Sequence, residues 1–164
     1  MARIAFLMDD RDQEYMEDIV QVLENSGQEV VIYPYAGDDV FVKKSYTDKV
    51  DLLLTFNCKG YEIHSLTNGI SLNFINSKVL NVLYEEACGK QEFLKDNPIS
   101  ISHFFYFADE SLMEKYMMEY PQIPFAKVMN TNEEKKTNGA MLYDSICQVL
   151  KTEGIYNHPY QARG

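Results

Sequence analysis

The sequence predicts a three-layer α/β/α sandwich built on a mostly parallel sheet of five to six strands. Three observations carry this. The run Val50-Asp-Leu-Leu-Leu-Thr-Phe-Asn57 is apolar without polar alternation, the pattern of a strand covered on both faces by helices. Val79 to Tyr84 follows it as a further strand. Short apolar runs then alternate with helically spaced segments along the chain, and parallel strands need such crossovers.

Arg3 to Met8 reads as the first strand, stopped by Asp9-Asp10. Asp12 begins a helix to about Asn25, with Tyr15, Met16, Ile19, Val20, Val22 and Leu23 spaced as an apolar face, and Gly27 supplies the left-handed stop. Glu29 to Tyr33 is the second strand, ended by Pro34. This βαβ opening with short loops implies parallel pairing and a right-handed crossover. Asp38-Asp39 caps a short helix carrying Val40, Phe41 and Tyr46. Residues 51–56 form the central strand, and 57–70 a long polar loop of a length usually tied to function. A short helix over Ser71–Asn76 precedes strand four, Val79–Tyr84. A loop over 85–89, a helix near Lys90–Lys95 and a break at Pro98 lead to strand five, Ser102–Phe107. Asp109 caps a helix to about Glu119, Phe125–Met129 is strand six, 131–138 is a charged linker, and Ala140–Lys151 is an amphipathic helix before an irregular tail. The helix after that linker is free to dock on its own sheet or on a partner. The order expected is Rossmann-like or flavodoxin-like, in one domain over 1–164, with 131–164 a linker, C-terminal helix and tail.

A chain of 164 residues that is 46% hydrophobic and 24% charged has enough apolar side chains for one core. Its formal charge of −10 repels phosphate, which argues against nucleic acid and anionic membranes as partners. Cys58, Cys88 and Cys147 are odd in number and lack CxxC spacing; they read as reduced thiols of a cytoplasmic protein rather than as disulfides or a zinc site. The N-terminal apolar run is too short for a signal peptide, and no stretch is long enough to span a membrane.

No motif of known chemistry stands out. The residues after strand one are acidic where a dinucleotide fingerprint would be glycine-rich. There is no P-loop and no GxSxG elbow. His64, His103 and His158 lack metal-ligand spacing, so neither metal nor cofactor is expected. His103, inside a strand, reads as a satisfied core residue. What remains is a polar concentration at one sheet edge. If strands three and four are parallel neighbours, Asn57, Lys59, His64 and Glu85 leave the sheet at the same end, and are expected to line an open pocket for a small polar ligand. The competing expectation is that the long loop folds over the edge and fills the cleft with Tyr61, Ile63 and Leu66. Asp9 and Asp10, as well as Asp109, are secondary candidates, since both segments follow strands.

Two resemblances bear on function. From Asp51 onward the chain resembles the N-terminal domain of spore-maturation-protein-like GT-B glycosyltransferases. Asp51-Leu-Leu-Leu-Thr-Phe-Asn57 is similar to their strand ending in a small polar turn, Val79–Tyr84 with Glu85-Glu86 to their strand-four edge, His103–Phe107 with Asp109 to their strand and following Asp, and Phe125–Met129 to the last strand before their interdomain linker. The resemblance implies an acceptor-side domain without the donor-binding domain, which binds a small polar ligand or a partner protein and is not by itself a complete enzyme. Over 1–60 the chain also resembles receiver domains, whose acidic pair after strand one, here Asp9-Asp10, holds Mg²⁺ beside a phosphate-accepting Asp at the end of strand three. That position holds Phe56, or with one slip Asn57, so the resemblance implies a pseudo-receiver interaction module.

Overall fold

The computed structural model describes residues 1–63, 72, 78–84, 103–107, 110–119, 127–128 and 138–151. Its sheet comprises β1 (Arg3–Met8), β2 (Glu29–Pro34), β3 (Leu52–Phe56), β4 (Val79–Leu83), β5 (His103–Phe107) and β6 (Lys127–Val128), in the order β2-β1-β3-β4-β5-β6. Every pairing is parallel. This is the Rossmann-like α/β architecture expected from the central run and the alternation of strands with helices, and the order reverses between β1 and β3. The helices are α1 (Gln13–Asn25), α2 (Val40–Thr47), α3 (Glu110–Glu119) and α4 (Asn138–Lys151).

Strand pleating divides the core between the two faces. On one face Ile4, Phe6, Leu52, Leu54, Phe56, Leu80, Val82 and Tyr106 pack with Ile19 and Leu23 of α1 and with Leu142, Ile146 and Val149 of α4. On the other, Ala5, Leu7, Leu53, Val79, Leu83, Phe105 and Phe107 pack with Phe41 and Val42 of α2 and with Leu112 and Tyr116 of α3. Both faces of β3 and β4 are buried along their whole length. Their sequences are accordingly apolar except for Thr55 and Asn81, both fully buried.

Several expectations are refined. The last helix docks on its own sheet, since its apolar stripe completes the layer that α1 begins. The Lys78 ammonium donates to the Leu150 carbonyl at 2.9 Å, near the C-terminal end of α4, where the helix dipole favours a cation. In α2 only Phe41 and Val42 of the apolar residues turn inward, while Val40 and Tyr46 stay exposed; Val40, Phe41 and Tyr46 stand at i, i+1 and i+6, positions that do not share a helix face. Asp38 accepts the Val40 N–H (3.2 Å) and Asp39 makes no side-chain cap. The helix expected over 71–76, apart from Leu72, and those parts of the long loop, the 85–89 loop, the 90–95 helix, the charged linker and the tail that carry no assignment lie outside the described residues. Among the described residues no helix is long and apolar enough to cross a membrane.

Candidate functional site

Parallel strands send their C-terminal ends to one edge, and in open α/β sheets ligands bind there, at the point where strand order reverses. Here that point lies between the ends of β1 and β3.

The end of β1 is organised locally. Asp9 leaves the strand in extended conformation and its Oδ1 accepts the Arg11 N–H at 2.9 Å, while Asp12 Oδ2 accepts the Asp9 N–H at 3.0 Å. This reciprocal cap holds a single 3₁₀ turn, Asp10–Asp12, that feeds α1. Partial burial on its own would raise the Asp9 carboxyl. The Arg11 side-chain hydrogen bond, the charge of Lys59 and the Arg11 N–H together outweigh it and hold the carboxyl below its ordinary value.

The end of β3 is organised by distant residues. Asn57, Cys58 and Gly60 take left-handed backbone angles, φ 49°, 63° and 92°. Non-glycine residues adopt this region at a cost, so the surroundings must enforce it. Three buried polar side chains, one from each of three neighbouring strands, do so. Thr55 of β3 donates to the Lys59 carbonyl at 2.8 Å. Asn81 of β4 accepts the Cys58 N–H through Oδ1 at 3.0 Å and donates through Nδ2 to Cys58 Sγ at 3.2 Å. His103 of β5 meets the Tyr61 hydroxyl at 3.0 Å through Nδ1. Burial first, and then Cys58, pushes the Tyr61 hydroxyl well up; which of the two groups donates depends on the His103 tautomer. In return, Asn57 Oδ1 accepts the Tyr84 N–H at 3.1 Å, where β4 ends. At Gly60 a Cβ would lie 3.2 Å from Leu7 Cδ2 and Phe41 Cζ, so that position requires glycine. On the outer flank, Glu62 accepts the Gly60 N–H at 3.0 Å and also the Tyr35 hydroxyl.

One side chain ties the two exits together. Lys59 Nζ lies 2.9 Å from Asp12 Oδ2, 3.1 Å from Asp12 Oδ1, 3.4 Å from the Phe56 carbonyl and 3.7 Å from Asp9 Oδ2. Asp12 is fully buried and Lys59 is 6% exposed. The Tyr84 hydroxyl donates to Asp12 Oδ1 at 2.5 Å. A buried carboxylate is stable only when its charge is paired and its lone pairs are bonded, and Lys59 and Tyr84 supply both.

The sequence-derived candidates fare as follows. Asn57 and Lys59 are both at this edge, but both are buried and turned into the protein. The reason for Lys59 is Asp12, whose carboxylate draws the ammonium inward. Tyr61 and Ile63 are buried as well, as in the expectation that the loop folds over the edge. Asp9 is partly exposed and Asp10 exposed at the end of β1. His64, Glu85 and Asp109, together with Leu66, lie outside the described residues. Phe56, which the receiver resemblance would set at the acceptor position, is fully buried against Phe6 and Tyr84, with ring centroids 6.3 and 6.2 Å away. Sequence reasoning missed Asp12, Thr55, Asn81 and Tyr84 as parts of the site. A usable sign existed for two of them, since Thr55 and Asn81 are polar interruptions of otherwise apolar central strands. The described residues include no group of three or more His, Cys, Asp or Glu able to hold a metal ion.

No family model matches the chain, and no curated protein does. Among solved structures, the solution NMR structure of a de novo designed Rossmann 2x3 fold protein is similar over 96% of this chain and 99% of that one, at 16% identity and a TM-score of 0.41. At that score the likeness adds nothing to what the strand order says.

Proposed function

We propose that the chain is a Rossmann-like binding domain similar to the acceptor-side domain of GT-B glycosyltransferases, and that it is not a complete enzyme by itself. It takes a small polar ligand or a partner protein over the C-terminal edge of the sheet. The observation that supports this best is β6, a sixth parallel strand added beyond β5. The five-strand flavodoxin-like order, which receivers share, ends at β5. The test is a ¹⁵N-labelled chain titrated with free sugars and polyols and, separately, with nucleotide sugars. The reading expects amide shifts at Asn57–Ile63 and Tyr84 with the hydroxylated acceptors. Shifts with nucleotide sugars alone, or no shift at this edge with either class, would count against it.

The second reading is a pseudo-receiver interaction module. It is favoured by the acidic turn after β1 and by the order of the first five strands. With Phe56 buried at the acceptor position, Mg²⁺ and beryllofluoride are expected to leave the melting temperature unchanged. A rise of several degrees would restore phosphoacceptor chemistry to the list of functions.

A further inference from the structure

We propose that Lys59 is a charged latch on the switch-point edge, and that the exits of β1, β3 and β4 open together, as one unit, when it parts from Asp12. The proposal does not depend on the function proposed above. Its first support is the pair itself. Lys59 Nζ lies 2.9 Å from Asp12 Oδ2 and 3.1 Å from Asp12 Oδ1, and both residues are buried. Neither group can leave without stranding the other's charge away from water. The second support is that Asp12 serves more than one exit. Its Oδ2 also accepts the Asp9 N–H at the end of β1, and its Oδ1 the Tyr84 hydroxyl at the end of β4. The Tyr84 N–H donates in turn to Asn57 Oδ1, in the turn that carries Lys59. The contacts thus close a ring through all three exits. The third support is strain. Asn57 and Cys58 hold left-handed backbone at φ 49° and 63°, a conformation that non-glycine residues leave once their surroundings stop enforcing it.

Parting the pair turns the Asp12 carboxylate toward water. The Asp9 N–H and the Tyr84 hydroxyl then lose their acceptor, and the turn after β3 loses its hold on the end of β1. The β1 exit is capped locally, yet the carboxylate that completes its cap is the one that holds Lys59, 47 positions further on. Strands β3 and β4 themselves stay in place, because both are buried along their whole length. The opening is therefore a sub-global event, distinct from unfolding of the sheet.

Native-state amide hydrogen exchange on the ¹⁵N-labelled chain tests this. The reporters are the N–H groups of Asp9, Cys58 and Tyr84, one at each exit and each bonded to a side chain of the edge. The reference is the Leu53 N–H inside β3, bonded to the Lys78 carbonyl. In wild type the three reporters are expected to share one opening constant, within about twofold, and to exchange faster than Leu53. Tyr84→Phe removes a hydroxyl at the β4 exit alone, yet is expected to speed Asp9 and Cys58 by a common factor of about threefold to tenfold. Lys59→Met is expected to speed all three reporters by more than about tenfold. Val149→Ala, a packing change in the core on α4, is expected to speed Leu53 and leave the reporters as in wild type. Three different opening constants in wild type, reporters no faster than Leu53, or a Tyr84→Phe effect confined to the β4 exit would each overturn the proposal. So would reporters that respond to Val149→Ala as strongly as Leu53 does. Should Lys59→Met fail to fold, wild type, Tyr84→Phe and Val149→Ala decide the matter without it.

Discussion

The exits of β1 and β3 lie side by side on one sheet edge, yet they are stabilised by opposite means. After β1 the backbone donors are satisfied by carboxylates two or three residues away, the turn is largely exposed, and glycine is not needed. After β3 the backbone turns left-handed three times within four residues and is buried, and besides Thr55 and Glu62 close by it draws on partners 23 to 47 positions away in sequence. A local cap brings its own partners. A buried turn must borrow them, so its conformation depends on the whole sheet being assembled. Substitutions at the β3 exit should therefore cost more than substitutions at the β1 exit.

The largest effect is expected for Lys59→Met. It leaves the Asp12 carboxylate buried without its counter-charge, and removing one partner of such a pair costs about 3–5 kcal/mol. Chemical denaturation measures this; a loss under about 1 kcal/mol would mean that the pair is far better hydrated than its burial implies. Next is Gly60→Ala. A left-handed Ala costs about 1–2 kcal/mol, and its methyl must displace the Leu7, Phe41 and Leu72 side chains, which lie 3.2–3.3 Å from where it would sit. Asn81→Leu fits an apolar strand but strands the buried Cys58 N–H, at a cost of about 1–3 kcal/mol; it should also speed hydrogen exchange at Cys58 selectively. If Leu proves neutral there, the turn does not depend on the cross-strand amide.

At the β1 exit, Asp9→Ala removes a cap and is expected to cost about 1 kcal/mol. Its pH dependence sharpens the comparison. Folding lowers the Asp9 carboxyl below its ordinary value of 3.8. Its contribution is therefore fully present above that value and is lost as pH falls through the lower, folded-state value. The difference in stability between wild type and Asp9→Asn should thus be constant near neutrality and shrink in acid below about pH 4. A difference that grows in acid would contradict the assignment.

What the sequence alone determined is whatever depends on neighbours in the chain. The unalternated run 50–57 marked β3 as doubly covered, and the 3.6-residue spacing marked α1 and α4. Gly27 marked the end of α1, and Asp9-Asp10 the end of β1. Each follows from interactions within a few residues or from the burial pattern of one element, and each was legible to within one or two positions. The site was legible only as a location, because parallel pairing by itself brings strand ends to one edge. Where Lys59 would point was decided by Asp12, 47 positions earlier and read from sequence as nothing more than a helix start. How the backbone from Asn57 to Tyr61 is held was decided by Thr55, Asn81 and His103, three polar side chains in three strands. They look like interruptions in sequence and become anchors only when those strands lie next to one another. The physical reason is distance. A side chain of a few ångströms can satisfy only what the fold has already brought within hydrogen-bonding range, and no local pattern records which residues those will be.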